Sequence, residues 1–173
     1  NKQPWDDAVT LALAYAEVPY ETLWDEQVFN GELSQYDWLH LHHEDFTGQY
    51  GKFYRSFKNA PWYIEQKRKF EADANKLGYS KVSTQKLEVA LKIKEFLAGG
   101  GFLFAMCSAT DSYAIALASE GVDICEHMFD GDPMNSSAQQ LIDYNKSIAF
   151  KDFELIINPN VYEFSNIDVT RGR

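Results

Sequence analysis

The feature that most constrains this chain is a short apolar run caught between two helical patterns with no linker on either side. Upstream, Val89, Ile93, Phe96 and Leu97 recur at helical spacing opposite a polar stripe of Gln85, Glu88, Lys92 and Glu95. Ser83 or Thr84 is the expected cap and Gly99 the expected stop. Gly101 to Met106 then reads as a compact hydrophobic strand, and a second helical pattern, Ser108 to Ala118, resumes directly after Cys107. Helix, strand, sharp turn and helix in immediate succession predict an α/β fold.

The flanking segments extend that reading. Asp6 and Asp7 precede Val9, Ala12, Leu13 and Ala16, which predicts a first helix stopped by Pro19. Residues 20–24 read as a short strand, and residues 37–43 as another whose centre, Trp38-Leu39-His40-Leu41, is apolar on both faces. Residues 44–59 carry Gly48, Gly51 and several aromatics without a period, which marks a long loop of the functional kind. Pro61 opens a polar helix with Phe70, Ala74 and Leu77 on one face and Gly78 at its end. Further on, Asp130-Gly131-Asp132-Pro133 predicts a turn, Ser136 or Ser137 the cap of a short helix, and residues 148–150 and 153–157 two strands.

Taken together, these elements predict a doubly wound, mostly parallel sheet flanked by helices, with flavodoxin-like layering and ligands at the carboxyl ends of the strands. Such folds open on a central strand, whereas this chain opens on a helix, so a preceding strand is expected upstream of Asn1 and the 173 residues are read as one domain, incomplete and cut from a longer chain. Twenty-six acidic against 16 basic residues leave a formal net charge of −10, which opposes binding to nucleic acid or anionic lipid. No apolar run approaches the roughly 20 residues of a membrane span, and no targeting segment is legible. Two cysteines exclude a disulfide scaffold, although Cys107 and Cys125 could pair with each other.

Two constellations carry candidate chemistry. Ala105-Met106-Cys107-Ser108-Ala109 has the spacing of a nucleophile elbow, with small residues two positions either side of Cys107. There the Ser108 N–H could face a developing oxyanion; the bland alternative is a buried cysteine ending a core strand. His40-Leu41-His42-His43-Glu44-Asp45 gathers three of the four histidines at a predicted strand end. His43 and Glu44 can serve as base and orienting carboxylate for the thiol, His42 and Gly48 can belong to the loop around the site, or His42, His43 and Glu44 can bind a metal as a hydrolase centre. The bland reading is a polar strand end. The rings of the following loop, Tyr50, Phe53, Tyr54, Phe57, Trp62 and Tyr63, read either as packing on the sheet rim or as a platform for a ligand or partner in a binding module without catalysis. His127 reads as a packing residue.

Gly99 to Asp111, together with Leu41-His42-His43-Glu44-Asp45-Phe46-Thr47-Gly48-Gln49-Tyr50-Gly51, resembles a family of Bacteroidetes proteins with a class I glutamine amidotransferase-like fold, whose members are often labelled asparagine synthetase B. The resemblance implies that Cys107 attacks a side-chain amide, that a His oriented by a carboxylate acts as base, and that ammonia passes to a synthetase partner. It implies a small-molecule substrate and no cofactor or metal, and leaves the oligomeric state open. The chain departs from that pattern in one respect. The class I His-x-Glu segment is missing after Cys107, where the only histidine is His127, so the expectation is either a degenerate site or a base beyond Arg173.

Overall fold

The structure is a computed structural model and describes residues 8–168. Its centre is the predicted succession. Helix α5 (Val82–Ala98) leads through Gly99 to Gly101 into strand β2 (Phe102–Met106), and helix α6 (Ser108–Ala118) begins one residue after the strand ends. Strand β1 (Trp38–His42) pairs with β2 in parallel, from Trp38 opposite Phe102 to His42 opposite Met106. A parallel pair needs a long crossover. Here the crossover carries α3 (Tyr54–Phe57), α4 (Pro61–Lys76) and α5. Among the described residues the sheet has these two strands, so the shown architecture is an α/β arrangement with a small parallel sheet.

One face of that sheet builds the core. Leu39, Leu41, Leu103 and Ala105 meet Val89, Ala90 and Ile93 of α5 and Ala109, Tyr113, Ala116 and Leu117 of α6. The other face is open. Trp38, Phe102 and Phe104 are 47%, 60% and 47% exposed, with Trp38 against Phe102 and His40 stacked on Phe104. The expectation that β1 is buried on both faces is therefore corrected, because the described helices lie on one side.

Helix α6 is buried nearly all round, its polar Asp111 and Ser112 included. Its second side, with Ala114, Ile115 and Ala118, packs on Ile124, Ile142, Phe153 and Phe164. A third cluster joins Tyr50, Tyr63, Ala74, Val82 and Phe129.

Several local expectations hold. Helix α1 (Ala8–Tyr15) is present, although Leu11 and Tyr15 are exposed, while Asp6 and Asp7 lie outside the described residues. Gly131 ends α7 (His127–Asp130) in a left-handed conformation, and Ser137 stands before α8 (Ala138–Leu141) without a capping bond from its side chain, the helix stopping short of the expected Tyr144. Others are corrected. Residues 20–24 form no strand; they lead to α2 (Asp25–Phe29), where the Trp24 N–H donates to Gln27 Oε1. Residues 148–150 and 153–157 form no strands either, and a single antiparallel bridge joins Leu155 to Ser165. Helix α5 starts at Val82 rather than after a Ser83 or Thr84 cap, and Gln85 leaves its polar stripe: it is buried and donates to half-buried Asp25. These misreadings share a cause: short segments with few residues of pattern take the conformation their distant neighbours impose.

Candidate functional site

Cys107 connects β2 to α6 with φ 56° and ψ −139°. That backbone borders a region entered freely only by glycine, and it holds the side chain out at the carboxyl end of the strand. Both cysteines are free, with Cys107 exposed and Cys125 buried, where its Sγ donates to the Thr47 carbonyl. Ala109, two residues past Cys107, is fully buried against the core, so a larger side chain has no room there. Ser108 is the first residue of α6, and the N–H of a first helical residue has no acceptor within its own helix.

The loop after β1 leaves the same end of the sheet. Because His42 lies opposite Met106, the next residues, His43 and Cys107, exit side by side, and both take φ 56°. The rings of His42 and His43 lie 3.8 Å apart, tilted by 31°. Asp45 then organises the loop: one oxygen accepts from the N–H and hydroxyl of Thr47, and the other accepts from the Gly51 N–H at 2.9 Å. Gly48 packs so closely on the amino end of α5 that a Cβ would lie 2.7 Å from the Ser83 backbone.

Glu44 has a partner its sequence position did not announce. Its carboxylate lies 3.4 Å from the buried Lys86 ammonium, which also meets Asp25 at 2.7 Å. Burial raises the Glu44 pKa, against the attraction of Lys86. Burial also opposes the charge on Lys86, and Asp25 and Glu44 more than offset it, so its pKa is raised. The Glu44 carbonyl accepts from Ser112 Oγ of α6 at 2.6 Å, which ties the loop to the elbow helix.

Two buried charged residues beneath the elbow escaped the sequence reading. Lys52 is 2% exposed, and its ammonium donates to the carbonyls of Ile156 and Glu163 beneath the Phe164 ring. Burial lowers its pKa to about 8, against the pull of Asp45 and Asp111. Asp111 follows Cys107 by one helical turn and is 1% exposed. One oxygen accepts from Ser165 Oγ at 3.1 Å, while Oδ1 has no hydrogen-bond partner among the described residues. Burial raises its pKa to about 6, with the Ser165 bond opposing. The i, i+4 spacing from Cys107 was a legible signal for Asp111; nothing local marked Lys52.

The loop rings divide between the two readings made of them. Tyr50 and Tyr63 are core residues, whereas Phe53, Phe57 and Trp62 stay 37%, 41% and 44% exposed. His127 is exposed at the start of α7, not packed, which corrects its assignment. As for metals, the ligand atoms that converge to within 4.8 Å among the described residues belong to Asp123, Cys125 and Asp130, and those of His42, His43 and Glu44 do not. Lys81 already reaches into the first group, 3.0 Å from Asp123 and 3.2 Å from Asp130. A surface depression of about 430 Å³ between Tyr36, Asp37, Lys92 and Phe96 lies at the amino ends of the strands, away from Cys107.

No helix among the described residues is long and apolar enough to cross a membrane. Comparisons of the chain with models of known protein families, with curated proteins and with solved structures found no match.

Proposed function

We propose that this chain is an amidotransferase-like domain that cleaves an amide or related acyl compound through Cys107. The observation that carries the reading is the backbone of Cys107, a non-glycine residue at φ 56° and ψ −139° between a parallel strand and a buried helix, with its thiol exposed. Proteins retain such costly conformations where they present a reacting group. On this reading the two strands belong to a doubly wound sheet of the class I amidotransferase type, consistent with the parallel pairing and the open sheet face.

The chemistry follows from the groups at the elbow. His43 takes the thiol proton as Cys107 Sγ adds to the carbonyl carbon, and the Ser108 N–H donates to the oxyanion. Collapse of the tetrahedral intermediate breaks the C–N bond, and the proton held by His43 passes to the leaving amine or ammonia. The resulting thioester is hydrolysed by water, which returns the proton to Cys107 and releases a carboxylic acid. Glu44, held by Lys86, anchors the loop that carries His43. Where the leaving group is ammonia, a synthetase partner can consume it.

Intact-mass analysis after mixing with an activated acyl ester tests this. A single acyl adduct on wild type that is absent in Cys107→Ser, together with loss of ester and amide hydrolysis in that variant, is the expected result. Equal hydrolysis by both proteins overturns it. A binding module without catalysis draws its support from the exposed loop rings; it predicts ligand binding that is indifferent to Cys107→Ser and no adduct on either protein.

A further inference from the structure

The depression at the amino ends of the strands lies between the last turn of α5 and the short 3-10 helix Glu32–Gln35, at the end of the sheet opposite Cys107. Its volume, about 430 Å³, falls within the range of small-molecule sites. Leu33, Tyr36 and Phe96 supply the apolar part of its lining. Two of these side chains are held in place. The Phe96 ring lies 2.2 Å from where a Cβ on Gly101 would stand, so the glycine admits the ring, and the Tyr36 hydroxyl donates to Glu21. A ring seated against backbone is a wall already formed, which a ligand does not have to order.

Charge decides which ligand suits it. Asp37 and Glu95 bring carboxylates into the lining, and the Glu21 carboxylate stands at the Tyr36 hydroxyl. Lys92 is the one cation among the described lining residues, and it is already paired with Glu95 at 3.0 Å. The carboxyl end of a helix adds roughly half a negative charge, and α5 has no basic residue in its last turn to offset it. Asp37 is anchored by its backbone, whose carbonyl accepts from the Phe102 N–H at 2.8 Å, while its residue surface is exposed. An anion entering here meets three carboxylates; a cation meets them and the negative faces of two rings.

We propose that this depression binds a small organic cation, a primary ammonium on an aryl or alkyl body, with the body against Tyr36 and Phe96 and the ammonium beside Asp37 and Glu95. The ligand and Lys92 compete for Glu95, whereas Asp37 adds attraction without a competing cation in the lining. The site is separate from the chemistry at Cys107, because the five residues of β2, roughly 17 Å in length, stand between them.

The test titrates phenethylamine, 2-phenylethanol and 3-phenylpropionate, ligands of like shape and different charge, into nitrogen-15-labelled protein at neutral pH and follows the amide shifts. Phenethylamine is expected to bind about tenfold more tightly than the alcohol and to shift the amides of Gly31, Ser34 and Gly99 to Gly101, and the carboxylate is expected not to bind. Asp37→Asn should weaken the amine by about three- to fivefold, the range of one exposed ion pair, and Lys92→Met should tighten it by a similar factor, with the alcohol unmoved in both. Opposite signs from two surface substitutions do not arise from a general loss of structure. Equal affinity for amine and alcohol, binding of the carboxylate, or shifts confined to residues outside the depression overturn the proposal, as does weaker binding of the amine by Lys92→Met.

Discussion

Replacing Cys107 by glycine should make this protein more stable. The residue sits at φ 56° and ψ −139°, where an L side chain costs on the order of 1–3 kcal/mol that glycine does not incur. Against that stands the greater freedom of glycine in the unfolded chain, about 0.5–1 kcal/mol. The Cys107 side chain is exposed, so its removal opens no cavity. The balance favours glycine over alanine by about 1 kcal/mol, the reverse of the order at a residue with ordinary backbone angles. Cys107→Ala is the control, since it removes the thiol and keeps the Cβ; it should lie within about 0.5 kcal/mol of wild type. Urea unfolding of the three proteins at equal slope measures the differences, and about 1 kcal/mol corresponds to a melting shift of roughly 2–4 °C at this size. If Cys107→Gly is no more stable than Cys107→Ala, the elbow stores no strain and the reasoning from backbone to nucleophile fails.

Gly48→Ala should destabilise by about 2–4 kcal/mol, because its Cβ would meet the Ser83 backbone at 2.7 Å and the residue has φ 76°; a loss below about 0.5 kcal/mol in the urea midpoint would refute that. Asp111→Asn should change how stability depends on pH. The folded-state pKa of about 6 lies above the ordinary 3.8, so the native state binds the proton more tightly, and wild type loses stability as pH rises from about 4 to 6. The variant lacks that loss, and its advantage should grow across the window by up to about 3 kcal/mol, less whatever attraction to Lys52 disappears with the charge. Parallel urea midpoints for both proteins from pH 4 to 7 would refute it.

Much of the frame was legible because it is written in neighbouring residues. The strand of residues 102–106, the helix from Ser108 and the turn at Cys107 follow from an apolar run too short for a helix, from helical spacing on either side and from small residues flanking the turn. Strand β1 and helices α4 and α5 were legible for like reasons, their signals being long or sharply bounded. Residues 20–24 and 153–157 misled because four apolar or β-branched residues around one glutamate are compatible with strand, coil or a helix start, and only a pairing partner decides among them.

Within the candidate site, the sequence by itself determined that Cys107 would stand at a strand-to-helix turn and that a histidine-rich segment would end a strand, since both depend on local pattern. Only the tertiary structure decided that β1 and β2 are parallel partners in a register that brings His43 and Cys107 out together. It also decided that Glu44 answers to Lys86, 42 residues away, that Lys52 is clamped by carbonyls more than a hundred residues on, and that Tyr162 completes a ring cluster begun at Phe53. The physical reason is the same in each case. Backbone conformation is set largely by a residue and its near neighbours, whereas a buried charge or an aromatic ring takes its partner from whatever the fold brings within a few ångströms, and that choice leaves no spacing in the sequence to read.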